Sequence, residues 1–182
     1  MADLIFINYR RGISAGITTA LHNRLRWHFG PRVFMDVTSI GPGDVYANKL
    51  LEKVAECAAF IAVIGPGWSD HKDDAGRRRL DDPQDPVRLE IEAALKRDSR
   101  DIRIYPVRVD GAQIPSEERL PDPLKRLVKH HAFEIRNDRF KADAGELATE
   151  IGRHPPIDKI RRRRTTRVND LIERWRGWLS KK

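Results

Sequence analysis

Cysteine is nearly absent from the chain, and the one cysteine, Cys57, lies in an apolar segment. A single thiol excludes an internal disulfide framework and a cysteine-based metal site, and it suits a reducing compartment. No stretch approaches the run of about 18 apolar residues that a membrane-spanning helix needs. The N-terminus also has neither the basic region nor the cleavage site of a signal peptide. These absences predict a soluble cytoplasmic protein.

The body of the chain lacks net charge, although the formal charge of the whole is +8. Residues 153–182 contain 11 basic and 3 acidic side chains, whereas the preceding 152 residues contain 24 of each. The body therefore has no overall field to attract a polyanion, which disfavours nucleic acid as its partner. With 182 residues, 40% of them hydrophobic, the chain has the size of one domain with an appendage.

Several motifs of catalytic and cofactor-binding proteins are also missing. Neither G-x-G-x-x-G nor G-x-x-x-x-G-K-[ST] occurs, so a dinucleotide fingerprint and a P-loop are both excluded. The six histidines lack metal-ligand spacing, and no Ser/His/Asp set is indicated by position. A phospho-accepting receiver domain is excluded, because Tyr9-Arg10-Arg11 and Gly65-Pro66-Gly67 stand where its acids are needed. We therefore expect no bound metal and no resident cofactor.

What the chain does contain is an alternation of short apolar runs with amphipathic segments. The apolar runs predict strands that begin near Leu4, Val33, Phe60, Ile102 and His131, and the intervening segments predict helices. Such alternation favours an α/β fold with a parallel sheet covered on both faces. Five strands suggest the three-layer, flavodoxin-like order 2-1-3-4-5.

Two segments carry more specific expectations. The fourth predicted strand, Ile102 to Val109, alternates in polarity, which suggests a more exposed position, and Pro106 within it favours an edge or an irregularity. The polar stretch from Ser69 to Asp85 predicts a mobile loop. Ligands of such folds bind outside the carboxyl ends of the strands at the switch point. The segments predicted there are Asn8 to Arg11, Asp36 to Asp44 and Gly65 to Trp68.

Two glutamates in the helix predicted from Pro86 differ in their surroundings. Glu92 has Arg88 four residues before it and Lys96 four residues after it, which is typical of a surface acid in ion pairs. Glu90 has no opposite charge at these spacings and borders the apolar face of the helix. A carboxylate in such a place is either paired from elsewhere in the fold or used for chemistry, and the spacing leaves both alternatives open.

Four ordered blocks of the sequence resemble a bacterial TIR (Toll/interleukin-1 receptor) domain over about residues 1–152. They are Phe6-Ile7-Asn8-Tyr9-Arg10-Arg11, Val33-Phe34-Met35-Asp36, Ile40-Gly41-Pro42-Gly43, and the stretch from Gly76 through Pro83 to Leu95. The resemblance implies one of two functions. One is an NAD nucleosidase that cleaves the nicotinamide–ribose bond to give ADP-ribose or a cyclic product as an immune signal, acting as an assembly. The other is an adaptor that acts only by homotypic TIR–TIR contacts.

The same resemblance implies roles for particular residues. Glu90 occupies the place of the catalytic glutamate of the family, with NAD as its substrate. The residues at positions that line the same cleft are Tyr9, Arg10, Arg11 and Asp36, and Ile40 to Asp44, including Gly43, match the mobile BB loop. An arginine of this set is suited to the diphosphate, and Trp68 is a candidate for stacking on a ring. From the residues alone, Tyr9 and the arginines also suit capping and salt bridges at the sheet end, Asp36 suits a turn, and Trp68 suits loop packing.

The chain departs from the family's enzymes at one position. In those enzymes an aromatic residue, often tryptophan, lies four residues before the glutamate and packs in the nicotinamide pocket. This chain has Pro86 at that position. Proline is common in the first turn of a helix. The departure keeps the adaptor alternative open.

After Pro155-Pro156 the composition changes, so we place a domain boundary at residues 152/153. Arg161 to Arg164 form a basic run, and apolar residues then recur at helical spacing: Val168, Leu171, Ile172, Trp175, Trp178 and Leu179. This pattern predicts a basic amphipathic C-terminal helix. Such a helix packs against a partner chain or a downstream domain, folds back on its own domain, or lies on an anionic membrane surface.

Overall fold

A computed structural model describes residues 4–35, 52–97 and 99–154. The predicted BB loop and the predicted C-terminal helix both lie outside these ranges. No helix in the described ranges combines the length and the apolar character needed to cross a membrane.

The described residues form five strands, three α-helices described over their whole length and one helical segment at residues 52–56, together with several 3-10 segments. In chain order they are β1 (Leu4–Asn8), α1 (Arg11–Phe29), β2 (Val33–Met35), β3 (Cys57–Ile64), α2 (Pro86–Leu95), β4 (Arg103–Val109), β5 (Phe133–Ile135) and α3 (Phe140–Arg153). A 3-10 helix at Asp122–Lys129 precedes β5, and residues 52–56 are helical. All four strand pairings are parallel and the order is β2-β1-β3-β4-β5, which confirms the predicted flavodoxin-like sheet.

The alternation of side chains along β3 explains why the sheet is covered on both faces. All eight residues of β3 are buried, and successive side chains point to opposite faces of a sheet. Ala59, Ile61 and Val63 join one hydrophobic cluster with α1 and α3. Phe60, Ala62 and Ile64 join a second cluster with α2. The sheet therefore separates two cores, and α2 lies on the face opposite α1 and α3.

The exposed or edge position suggested for the fourth strand is wrong, and the predicted strand order, which places it between the third and fifth strands, is right. β4 is not an edge strand, since it pairs with β3 from Arg103 to Arg108 and with β5 from Val107 to Val109. Four consecutive residues of it are buried. The ladder with β5 begins one residue after Pro106, so that ladder needs no N–H from the proline. On the other side of β4, Pro106 stands opposite Ala62 within the ladder with β3.

The stretch from Ser69 to Asp85 has defined local structure. It contains the 3-10 helices Trp68–Asp70 and Arg79–Asp81 and an antiparallel bridge between Lys72 and Arg78. This path brings Arg79 and Asp85 to the start of α2.

Candidate functional site

Helix α2 carries Glu90 to the carboxyl end of β1. The helix begins with Pro86 in its first turn, and Asp85 caps it by accepting a hydrogen bond from the Arg88 backbone N–H at 3.0 Å. Ile91, Ala94 and Leu95 are buried in the second hydrophobic cluster, which confirms the predicted apolar face. Glu90 lies beside that face and is only 7% exposed.

The carboxylate of Glu90 accepts a hydrogen bond from Asn8, the last residue of β1. The distance from Asn8 Nδ2 to Glu90 Oε2 is 2.7 Å, and the same nitrogen donates to the Val87 carbonyl at 3.3 Å. Asn8 is 1% exposed. Because the order of the sheet reverses between β1 and β3, this contact lies where folds of this type bind ligands.

A buried ion pair fixes the start of α2 to the residues that follow β1. Arg10 is buried, and its two terminal nitrogens each donate to one oxygen of Asp85 at 3.0 Å. Arg79 adds a third donor, from Nε to Asp85 Oδ2 at 3.0 Å. With the capping bond from the Arg88 N–H, the Asp85 carboxylate accepts four hydrogen bonds. Arg10 therefore has the salt-bridging role that its position at the sheet end also suggested.

The imidazole of His71 lies near this network. Burial lowers the pKa of His71, and the charges of Arg10 and Arg79 lower it further. Both causes disfavour the charged ring. We therefore expect His71 to be neutral at pH 7.

The other predicted site residues lie in different environments or outside the described residues. Tyr9 packs against the cluster of α1 and α3, because its side chain and that of Asn8 leave the chain on opposite sides. Arg11 is exposed at the first position of α1. Trp68 is 1% exposed and packs in the second cluster, in agreement with the structural alternative. Asp36, Ile40 and Gly43 lie outside the described residues.

Glu92 has the surroundings that its spacing predicts. It pairs with Arg88 at 2.7 Å and with Lys96 at 3.9 Å. Its side chain is 15% exposed, so it is less solvated than we expected. Two glutamates on one helix thus have distinct environments.

Sequence reasoning missed two features of the site: the hydrogen bond from Asn8 to Glu90, and Asp85 as the common partner of Arg10 and Arg79. An aspartate directly before a proline at a helix start is a capping signal, so the role of Asp85 at α2 was detectable. The contacts of Asn8 with Glu90 and of Arg10 with Asp85 join residues at least 75 positions apart in the chain. No local spacing predicts them.

A cavity of about 800 Å³ lies at the opposite edge of the sheet, around the amino ends of β4 and β5. It contains none of the predicted site residues. Within the described ranges, no cluster of three or more His, Cys, Asp or Glu side chains is arranged to hold a metal ion.

Comparison with known proteins relates the chain to one family. Residues 5–148 match the model of the TIR domain. No curated protein sequence matches the chain. The TIR domains of the activated Roq1 resistosome, which directly recognizes the pathogen effector XopQ, share 12% identity with it and give a TM-score of 0.55. That match covers 81% of this chain and 95% of the other.

A second solved structure, the flavodoxin-like domain of a Synechococcus protein, shares 16% identity and gives a TM-score of 0.47. The match covers 87% of this chain and 99% of that one. At these identities the likeness to solved structures concerns the fold alone.

Proposed function

The chain belongs to the TIR domain family, and from that premise we propose that it is an NAD nucleosidase that cleaves the bond between nicotinamide and ribose. The products would be ADP-ribose or a cyclic form of it. The observation that carries this proposal is the buried Glu90 carboxylate, held by Asn8 at the carboxyl end of β1 where the sheet order reverses. A buried carboxylate at a switch point is a functional-site candidate on physical grounds.

The chemistry requires a single acid residue. Nicotinamide leaves as a neutral molecule from a cationic precursor, so no general acid has to protonate it, in contrast to the carboxylic pair of a glycosidase. Glu90 would stabilise the positive charge that develops on the ribosyl group, and it would hold the ribose hydroxyls or orient the attacking water or adenine. Such stabilisation is stronger at a buried position, where the local dielectric is low.

The two arginines after β1 take different parts in this proposal. Arg10 is committed to Asp85 and holds the start of α2 in place. Arg11 is exposed, which suits a contact with the diphosphate of NAD. Asp36, Ile40 and Gly43 stay proposed cleft residues by their place in the family pattern, whereas Tyr9 packs against the cluster of α1 and α3 and Trp68 is buried in the second cluster.

The experiment is an NAD cleavage assay with a matched pair of variants. We expect the wild-type protein to release nicotinamide, and Glu90→Gln to lower kcat by at least about a hundredfold, because it loses the charge that stabilises the transition state. Glu92→Gln, on the same helix but in a surface ion pair, is the control and should change kcat by less than about threefold. Absence of turnover by the wild-type protein at high concentration and with a crowding agent would contradict the proposal.

A second candidate function is that of an adaptor acting by homotypic contacts. The observation in its favour is Pro86, which takes the place of the aromatic residue that packs in the nicotinamide pocket of the family's enzymes. The test is light scattering on the wild-type protein and on Ile40→Ala and Pro42→Ala. Weakened self-association in these variants supports the adaptor function, and unchanged self-association removes the BB loop from it.

A further inference from the structure

We propose that Asn8 is a positioning residue for Glu90: its amide holds one carboxylate oxygen in a fixed place and favours the ionised glutamate. This inference rests on the proposed function for its effect on catalysis. Asn8 itself is 1% exposed, so on this proposal it acts through Glu90 and not by touching the substrate. The family resemblance implies cleft roles for Tyr9, Arg10 and Arg11 and none for Asn8.

The hydrogen bonds determine the orientation of the Asn8 amide. Its nitrogen faces two acceptors, the Glu90 Oε2 at 2.7 Å and the Val87 carbonyl at 3.3 Å. A reversed amide would place its oxygen against both of them, which is repulsive while Glu90 is ionised. Both amide hydrogens are therefore used to hold α2 and its carboxylate against β1. The 2.7 Å distance is typical of a bond to a charged acceptor.

The position of Asn8 is rigid. It is the last residue of β1 and pairs in register with Ala62 of β3. A hydrogen-bond donor on a central strand has little conformational freedom to lose when it forms its bond, so it holds the acceptor in a fixed position. Oε2 of Glu90 is thereby committed to the protein.

The free-energy cost of burying the Asn8 amide oxygen argues against a purely structural role for this residue. Its Oδ1 is buried and makes no hydrogen bond within the described part of the chain. A buried acceptor in that state disfavours folding, and an apolar side chain of the same shape would avoid the penalty. The stability of the fold alone therefore does not account for an asparagine here. Orientation of the glutamate does.

The charged groups near the start of α2 are largely engaged with each other. Arg10 from the β1–α1 connection and Arg79 from the loop before α2 both converge on Asp85, and Arg88 pairs with Glu92. His71, next to Arg10 and Arg79, has a lowered pKa. Asn8 thus brings a neutral donor to Glu90, and a donor to a carboxylate favours its charged form.

The kinetic test separates positioning from binding. Asn8→Leu removes the donor, and we expect kcat to fall at least about tenfold while the KM for NAD changes less than about twofold, since an interaction that matters only in the transition state affects kcat. Asn137→Leu is the matched control, because Asn137 also donates to a carboxylate, that of Asp110 at 2.9 Å, on the exposed surface. Its kcat should be unchanged. An unaltered kcat in Asn8→Leu would overturn the inference.

A second variant keeps the size of the side chain. Asn8→Asp places a second carboxylate at hydrogen-bond distance from Glu90, and two close carboxylates share a proton. We expect the acid limb of the kcat–pH profile to move up by one pH unit or more. A profile identical to the wild type would contradict the inference, and this variant decides the matter if Asn8→Leu does not fold.

A third measurement needs no turnover and so distinguishes failure of the inference from failure of the proposed function. The Glu90 carboxyl carbon is followed by NMR titration in the wild type and in Asn8→Leu. We expect a higher Glu90 pKa in the variant, because the donor to its charged form is gone. Equal pKa values would overturn the inference even in an active enzyme. A raised pKa in an inactive protein would uphold the positioning contact and refute only the NAD cleavage.

Discussion

At the scale of single residues, Glu90 and Glu92 show how one turn of helix produces two different acids. Glu92 is held by Arg88 and Lys96, both four residues away on the same helix. Glu90 points to β1 and meets Asn8, 82 positions earlier in the chain. The partners of Glu92 follow from helical spacing. The partner of Glu90 follows only from the packing of α2 on the sheet.

Asp85 is the residue on which the start of α2 depends, and its removal should be costly. In Asp85→Ala the Arg10 guanidinium stays buried without its partner and the helix loses its cap. We expect the free energy of unfolding to fall by about 3–5 kcal/mol, the usual effect of breaking a buried pair by removing one member. Urea unfolding of the purified variant measures it.

The control for this prediction is Asp81→Ala. Asp81 also pairs with an arginine, Arg78, but its side chain is 61% exposed. Exposed pairs contribute at most about 1 kcal/mol. If the free energy of unfolding fell by a similar amount in both variants, the burial of the Arg10–Asp85 pair would not explain the effect of Asp85→Ala.

At the scale of elements, the close approach of α1 to the end of β3 depends on a glycine. A Cβ on Gly65 would lie 2.7 Å from Cγ2 of Ile13 and 3.1 Å from Cβ of Ser14. Ser14 has a non-helical backbone (φ −137°, ψ 25°), so α1 is kinked where it passes Gly65. This contact holds the residues after β1 near the switch point of the sheet.

Gly65→Ala should therefore destabilise the protein, by about 1–3 kcal/mol, because the added methyl overpacks the contact with α1. Gly145→Ala is the matched control: Gly145 lies inside α3, and an added Cβ would meet nothing within 4 Å. Alanine in a helix should stabilise it by about 0.5–1 kcal/mol. Thermal unfolding measures the change in stability of both variants, and we expect opposite signs. A stabilising Gly65→Ala would contradict the close packing of α1 on the end of β3.

The strands show which elements a sequence pattern can locate. The apolar run near Phe60 predicted a strand, and the structure confirms it as β3, whose eight residues are all buried in the interior of the sheet. The position of β4 was misjudged, because its arginines and Pro106 look like features of an edge. Arg103 and Arg108 lie towards its two ends, while the residues between them are buried. Whether a strand lies inside a sheet depends on what pairs with it.

At the scale of the whole molecule, acid stability should depend in part on Asp143. The side chain of Arg136 lowers the pKa of Asp143 to about 2 from an ordinary value of 3.8, and the Arg136 backbone N–H acts in the same direction. Since the folded-state pKa lies below the unfolded value, this contribution to stability is present above about pH 4 and is lost as the pH falls through about 2. The pair ties β5 to α3.

We expect Asp143→Asn to be less stable than the wild type near neutral pH, with a difference that shrinks steadily from pH 4 to pH 2. Urea unfolding at a series of pH values measures it. Asp122→Asn, in which the lost carboxylate is 89% exposed and pairs with Lys125, should show a small difference throughout. A stability difference for Asp143→Asn that does not change with pH would contradict the role of the pair.

Local properties of the chain were enough to determine the class of fold and the family. Apolar runs alternating with amphipathic segments led to a five-stranded parallel sheet in the order 2-1-3-4-5, which the structure confirms. The four TIR-like blocks led to the family, which the match over residues 5–148 confirms. The boundary at residues 152/153 and the basic C-terminal helix stay predictions.

The tertiary structure alone decided what each side chain near the switch point touches. It joined Arg10 to Asp85 and Asn8 to Glu90, and it buried Trp68 and sent Tyr9 to the other face. The physical reason is that local spacing determines helix and strand periods, whereas these contacts depend on the crossing of chain segments about 80 residues apart.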